Sequence, residues 1–281
     1  MAAKEQHGDD TPVPVLAPGN GRTTTGRLWA YVRDGRPAGD SAAPAVWCSY
    51  SADRKGEHTQ RHLLDFRGTL QADGYAGFNR LYEDGRIQEA ACWAHARRKF
   101  YELHQAHASP VAEEALKRIG QLYEIESEIR GRPPDERVAV RRAKARPLVD
   151  SMHEWLQATL VKLSKKSSVA SAINYSLGRW TALARYVDDG RLEIDNNTAE
   201  RALRAVALGR KNYLFAGADS GGERAAAIYS LIGSAKLNGL DPEAYLRYVL
   251  ERIADHPVKA IDELLPWRVN LMQQNEPSPL N

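Results

Sequence analysis

Residues 102–177 carry no strand signal, and that absence constrains the fold more than any other feature of the chain. Leu116, Ile119, Tyr123 and Ile129 recur at helical spacing, as do Leu148, Met152, Trp155 and Leu160. Gly131-Arg132-Pro133-Pro134 breaks the stretch between two helices. Both flanks read differently. Upstream, residues 28–32 (Leu-Trp-Ala-Tyr-Val), 45–50, 69–72 and 87–92 are short runs rich in β-formers, separated by Gly, Pro and Asp turns. Residues 58–64 and 94–104 read as helices between and after them. Downstream, residues 179–187 are helical and stop at Asp188-Asp189-Gly190, and Tyr213-Leu214-Phe215 is a brief extended run. Ser220-Gly221-Gly222-Glu223 reads as a capping box, starting a helix that ends at Asn238-Gly239. Asp241-Pro242 starts the next helix, to about residue 254. The pattern is an α/β core interrupted by an all-helical insertion, with a helical C-terminal part. Its expected divisions are 1–101 and 178–255 for the two parts of the core, 102–177 for the insertion and 256–281 for a tail that frays beyond Trp267.

A chain of 281 residues with 43% hydrophobic content suffices for one large domain, or one with an insertion. The formal net charge of +3 permits nucleic-acid binding without demanding it. With Cys48 and Cys92 as the only cysteines, a disulfide framework is excluded. No apolar run approaches the roughly 20 residues of a membrane span, and the start lacks a signal-peptide core. A cytoplasmic protein is the expectation, and the sequons at Asn174 and Asn196 read as chance matches. Arg137, Arg141, Arg142, Lys144 and Arg146 read as a solvated helix face, with a surface tracking a DNA backbone as the alternative.

Acid, amide and base are concentrated in Ile194-Asp195-Asn196-Asn197-Thr198-Ala199-Glu200-Arg201-Ala202-Leu203-Arg204. Asn197 is a good N-cap, and Glu200 at the third helical position can reach back to it. Alternatively, Glu200 is a metal-binding carboxylate, with Arg201 and Arg204 on one face holding phosphates. Two other acids have similar contexts. Asp9 opens the first strand pattern, whose apolar part is residues 13–16, and Asp73 ends a strand just before a glycine. Carboxylates at strand ends and helix starts can meet at one sheet edge and hold a pair of Mg2+ ions for phosphodiester chemistry. An ordinary Asp-Gly turn is the competing reading of Asp73. Cys92 and His95 form a C-x-x-H pair, half a zinc site that His104 and His107 could in principle complete. Arg97, Arg98 and Lys99 beside Phe100 and Tyr101 are a helix surface or a phosphate-contacting edge.

Several of these runs together resemble the bacterial insertion-sequence-66 family of DDE transposases. They are Ala72-Asp73-Gly74-Tyr75-Ala76-Gly77-Phe78, residues 92–100 from Cys92-Trp93-Ala94-His95 onward, and residues 193–204. Residues 209–217 (Gly-Arg-Lys-Asn-Tyr-Leu-Phe-Ala-Gly) and Ser220-Gly221-Gly222 continue the likeness, as do His7-Gly8-Asp9-Asp10-Thr11-Pro12-Val13 and Gly26-Arg27-Leu28-Trp29 at the front. The resemblance covers nearly the whole chain. It implies an RNase-H-like mixed-sheet core and a DDE triad falling on Asp9, Asp73 and Glu200, holding two Mg2+ or Mn2+ ions. Asp10 is the neighbouring alternative, and only one of two successive strand residues can face the metals. Cys92 and His95 would shape the site without holding a metal. Arg97, Arg98, Arg201 and Arg204 would contact DNA phosphates. The implied function is metal-dependent DNA cleavage and strand transfer for an insertion sequence, with transposon-end and target DNA, a homo-oligomer on DNA, and accessory proteins of the same element as partners, in the cytoplasm at the nucleoid. The family's usual long N-terminal region is almost wholly missing here. A non-catalytic DNA-binding remnant, or a nuclease of the same fold, is therefore the alternative.

Overall fold

The computed structural model describes residues 4–19 and 21–271. Strands β1 (Glu5–Val15), β2 (Thr24–Arg33) and β3 (Ala45–Ser51) come first. Helix α1 (Gly56–His62), β4 (Gly68–Ala72), the one-turn helix α2 (Asn79–Tyr82) and β5 (Ile87–Ala91) follow. The sheet order is β3-β2-β1-β4-β5. β2 and β3 pair antiparallel, whereas β1 with β4 and β4 with β5 pair parallel, so the sheet is mixed. β4 has a neighbour on each side, and Thr69, Leu70, Gln71 and Ala72 are all buried. That suits its unalternating sequence.

β1 departs from the sequence reading. It begins at Glu5, four residues before Asp9, so Asp9 lies inside a strand rather than at its start. Gly8, Asp9, Asp10 and Pro12 are poor β-formers and hide where the strand starts. What holds it is pairing, with Glu5, Gln6, His7 and Gly8 set against Thr69, Leu70, Gln71 and Ala72.

The helices that follow are α3 (Trp93–His107), α4 (Pro110–Ile129), α5 (Pro134–Val140), α6 (Arg146–Leu160), α7 (Ser168–Leu177) and α8 (Trp180–Ala184). After them come α9 (Asn197–Gly209), α10 (Asp219–Leu237) and α11 (Pro242–Arg252). Local chemistry accounts for several starts. The side chains of Ser109, Ser167 and Asp241 accept from the amides of Ala112, Ala170 and Ala244, and proline follows directly at residues 110 and 242. The expected cap at Ser220 is not formed. α10 starts at Asp219 after Ala218 without a side-chain cap, and the Asp219 carboxylate accepts from Tyr50 Oη instead. Beyond Trp267, residues 272–281 lie outside the described part.

The chain divides into two compact units. The first comprises the chain up to Asp9, Asp34–Ala42 and Lys55–Glu200. The second comprises Asp10–Arg33, Ala43–Arg54 and the chain from Arg201. In the second, Ser230 and Ser234 of α10 accept from the backbone amides of Cys48 and Val46, which covers the outer edge of β3. Ala235, Tyr245, Val249 and Leu264 form an apolar cluster there. The core of the first unit joins Trp93, Ala96 and Phe100 of α3 to Ile119 and Leu122 of α4, Met152 and Leu156 of α6, and Leu183, Val187 and Ile194.

Two of the five basic residues assigned to a solvated face or DNA surface are deeply buried. Arg137 and Arg141 retain 1% and 0% of their exposure. Arg141 sits on a π-helical turn between α5 and α6. Its guanidinium meets both oxygens of Glu126 at 2.8 and 2.6 Å and donates to the carbonyls of Tyr186, Asp189 and Leu192. Arg137 donates to the Gly190 carbonyl at 2.8 Å and pairs with Glu193 at 2.6 Å. The segment passes so close to α5 that a Cβ at Gly190 would lie 1.8 Å from the Pro134 carbonyl. Helical charge spacing does not reveal this, because the partners include the carbonyls of residues 186, 189, 190 and 192, far downstream. Arg142, Lys144 and Arg146 do lie toward solvent, paired with Asp188, Glu128 and Asp188.

Candidate functional site

Residues 193–196 are strapped across β1, β4 and the start of α3. The Gln71 side chain donates to the Glu193 carbonyl at 2.6 Å, and the Trp93 amide donates to the Ile194 carbonyl at 3.1 Å. The Asn196 amide donates to Cys92 Sγ at 3.2 Å. Asn196 Nδ2 donates to the Gly8 carbonyl at 2.9 Å, which leaves its Oδ1 to accept from His7 Nδ1 at 3.1 Å. Burial lowers the His7 pKa and keeps the ring neutral. These bonds fix where α9, and therefore Glu200, begins.

The expected cap at Asn197 is replaced by a different arrangement. Asn197 is the first helical residue, and its amide and side chain both donate to Asp195. Asp195 also accepts from Tyr123 Oη at 3.0 Å. Glu200 turns toward α3 instead of back to the helix start. Its Oε1 is buried, makes no hydrogen bond and lies 3.7 Å from His95 Nε2, while Oε2 is 3.9 Å from Arg98 Nη2.

Asp9 and Asp10 point to opposite faces of β1. The Asp10 side chain is fully buried and ion-paired with Arg54 at 2.7 Å and Arg27 at 3.1 Å. Asp9, half-buried, shares its face with His7, the residue that Asn196 grips. Gly8 is level with Ala72 in the parallel pair, so Asp9 comes next on β1 and Asp73 is the first residue past the end of β4. Such strands run about 4.8 Å apart. Asp73 Oδ1 accepts from the Tyr75 amide at 3.1 Å, so the turn reading of Asp73 holds for one oxygen. The following Gly74 carbonyl is held by Arg179, which also pairs with Glu89.

Among the described residues, the group whose potential metal-ligating atoms lie within 4.8 Å of one another is Cys92, His95 and Glu200. Asp9 and Asp73 are not part of it, and neither are His104 and His107. Burial pushes the Cys92 thiol up to about 12, so it stays protonated at neutral pH. Arg97, Arg98, Arg201 and Arg204 are all exposed. Arg97 lies over the Tyr101 ring.

Residues 1–224 match the model of the transposase IS66 family. The chain belongs to that family. Residues 230–267 match the IS66 C-terminal element. Among curated relatives, the uncharacterized protein y4hP of Sinorhizobium fredii is 48% identical over 95% of this chain and 51% of its own length. The uncharacterized protein y4qI of the same organism is 42% identical over 92% of this chain and 50% of its own. The chain thus spans about half the length of the curated relatives it matches. No solved structure matches. No helix among the described residues is long and apolar enough to cross a membrane.

The sequence reading gives His7, Gln71, Tyr123 and Asn196 no role at the site, although they tie it together. Asn196 carried a usable signal. It is an amide beside a helix start, and at 0% exposure it serves the interior rather than a surface sequon.

Proposed function

We propose that this chain is the catalytic part of an IS66 transposase, with an RNase-H-like core that cleaves DNA and joins the resulting 3′ end to a target. The observation that carries the reading is the position of Asp9, one residue past the Gly8–Ala72 pair on β1, against Asp73, the first residue beyond the end of β4, with the Glu200 helix tied to β1 through Asn196. Asp9, Asp73 and Glu200 would hold divalent Mg2+ or Mn2+, two ions in the full reaction. The donor set fits, since all three are hard carboxylate oxygens and Glu200 Oε1 is buried with no hydrogen bond. When bound, the ions would activate water or a 3′ hydroxyl and stabilise the leaving oxygen. Asp9 shares its strand face with His7, which Asn196 holds, whereas Asp10 faces the other way toward Arg27 and Arg54, and this favours Asp9 as the first carboxylate.

The chain's other residues orient and bind. Cys92 holds the Asn196 amide, and His95 sets the direction of Glu200. Arg97, Arg98, Arg201 and Arg204 contact phosphates. Two DNA ends are brought together by a homo-oligomer on DNA. A second reading, a DNA-binding protein without catalysis, is favoured by the grouping of Glu200 with Cys92 and His95 rather than with the two aspartates.

The test is calorimetric titration of the purified chain with Mn2+, together with incubation of a 3′-labelled duplex carrying the ends of its own element. The expected result is metal binding that Asp73→Asn and Glu200→Gln abolish with folding intact, and a label first cut free and then joined. A label cut but never joined indicates a nuclease. Normal cleavage by Glu200→Gln would refute the assignment.

A further inference from the structure

Large apolar side chains lie in solvent on the loop between α9 and α10. Tyr213, Leu214 and Phe215 are 38%, 77% and 42% exposed. The loop that holds them is anchored on both sides to the second half of β1. On one side Arg210 donates to the Pro12 carbonyl at 2.6 Å and to Thr11 Oγ1 at 3.1 Å. On the other the Ala216 amide donates to the Pro14 carbonyl and the Ala216 carbonyl accepts from the Leu16 amide, each at 2.8 Å. Tyr213 Oη is bonded to Tyr229 Oη at 2.7 Å. The backbone is therefore fixed around three apolar groups that it does not bury. Keeping that surface wet costs free energy in the isolated chain, which an occupant would recover.

The surroundings indicate the chemistry of that occupant. Residues 201–217 contain four basic residues, Arg201, Arg204, Arg210 and Lys211, and no acidic one. Arg201, Arg204 and Leu208 recur at helical spacing on an exposed face of α9, and exposed Lys211 follows at the start of the loop. The nearest acid beyond the loop, Asp219, is taken up by Tyr50. A cationic track that ends in exposed aromatic and aliphatic groups suits a nucleic-acid strand whose phosphates follow the bases and whose base stacks on the tip.

We propose that Leu214 and Phe215 form a stacking site for an unpaired DNA base, fed by the Arg201–Arg204–Lys211 track. The inference rests on the DNA reading above and adds to it a preference for opened DNA. The test compares two labelled duplexes of one sequence, one fully paired and one with a four-nucleotide unpaired bubble. The chain is expected to bind the bubble about tenfold more tightly, in line with one stacked base. Leu214→Ser/Phe215→Ser should remove that preference and leave fully paired binding within about twofold, since neither residue contacts the phosphates. Phe215→Trp should keep the preference, and the fluorescence that this variant shows beyond that of the six native tryptophans should be quenched by the bubble alone. Equal binding of both duplexes by the native chain overturns the proposal, as does a preference that survives the serine variant. A serine variant that changes the sedimenting mass and leaves the preference intact would assign the tip to a second copy of the chain. Bubble preference without metal-dependent cleavage keeps this site and refutes the catalytic reading, whereas absence of DNA binding refutes both.

Discussion

His7 is the residue on which the site's pH tolerance turns. Its ring is 5% exposed and donates to Asn196, whose other side-chain atom holds the Gly8 carbonyl next to Asp9. Burial depresses the His7 pKa, so the folded state favours the neutral ring. Stability from this source is fully present above the unfolded value of about 6.5 and is lost as pH falls through the folded value. His62, pushed down to about 4 by burial, acts with the same sign. The melting temperature should therefore fall steadily as pH drops from 6.5 toward 4. His7→Gln, which keeps a donor but cannot titrate, should flatten that fall, with His62 supplying what remains. Parallel slopes for the two proteins, measured by thermal melts across that range, would remove His7 from the account.

At the scale of elements, helices α4 and α5 and the turn after them bear on the candidate site through one buried ionic cluster. Arg141 and Arg137 join Glu126 of α4 to the backbone of residues 186–192, immediately before the strap that leads into α9. Removing one member leaves a charge buried without its counterpart, whereas removing a pair together need not. Arg141→Met should destabilise the chain by about 3–5 kcal/mol in a denaturant titration. Arg141→Met/Glu126→Leu should recover much of that loss. A double variant as unstable as the single would mean that the carbonyl bonds, rather than the charge pair, hold the segment. This cluster also marks the limit of what the sequence makes legible. β4, α4 and α11 follow from local runs and caps, so they can be read directly. Asp73 and Glu200 are visible for the same reason, since each sits where a recognisable element ends or begins. The first part of β1, before Asp9, is hidden because those residues depend on pairing with β4. The burial of Arg137 and Arg141 is hidden because it depends on distant carbonyls. The start of α9 is misjudged by one residue because Asn196 gives its side chain to β1 instead of to the helix.

On the scale of the whole molecule, a net charge of +3 is too small for DNA affinity to come from a diffuse field. If the chain binds DNA, the attraction must be local, carried by arginines beside the Glu200 turn. Those guanidinium groups differ in their surroundings. Arg98 is already within 3.9 Å of Glu200, and Arg97 lies over Tyr101, whereas Arg204 lies on an exposed face of α9. Each phosphate neutralised releases condensed counterions, so the logarithm of affinity should fall with the logarithm of salt at about 0.9 per contact. Four contacts by Arg97, Arg98, Arg201 and Arg204 predict a slope of about −3.6 on fully paired DNA. Arg201→Gln/Arg204→Gln should bring it to about −1.8, and so should Arg97→Gln/Arg98→Gln if all four touch the duplex together. Fluorescence anisotropy over a salt series measures each slope directly. A change with one pair of variants and none with the other would confine the duplex to a single helix, α3 or α9. The catalytic reading would then need the duplex to reach Glu200 from that side alone.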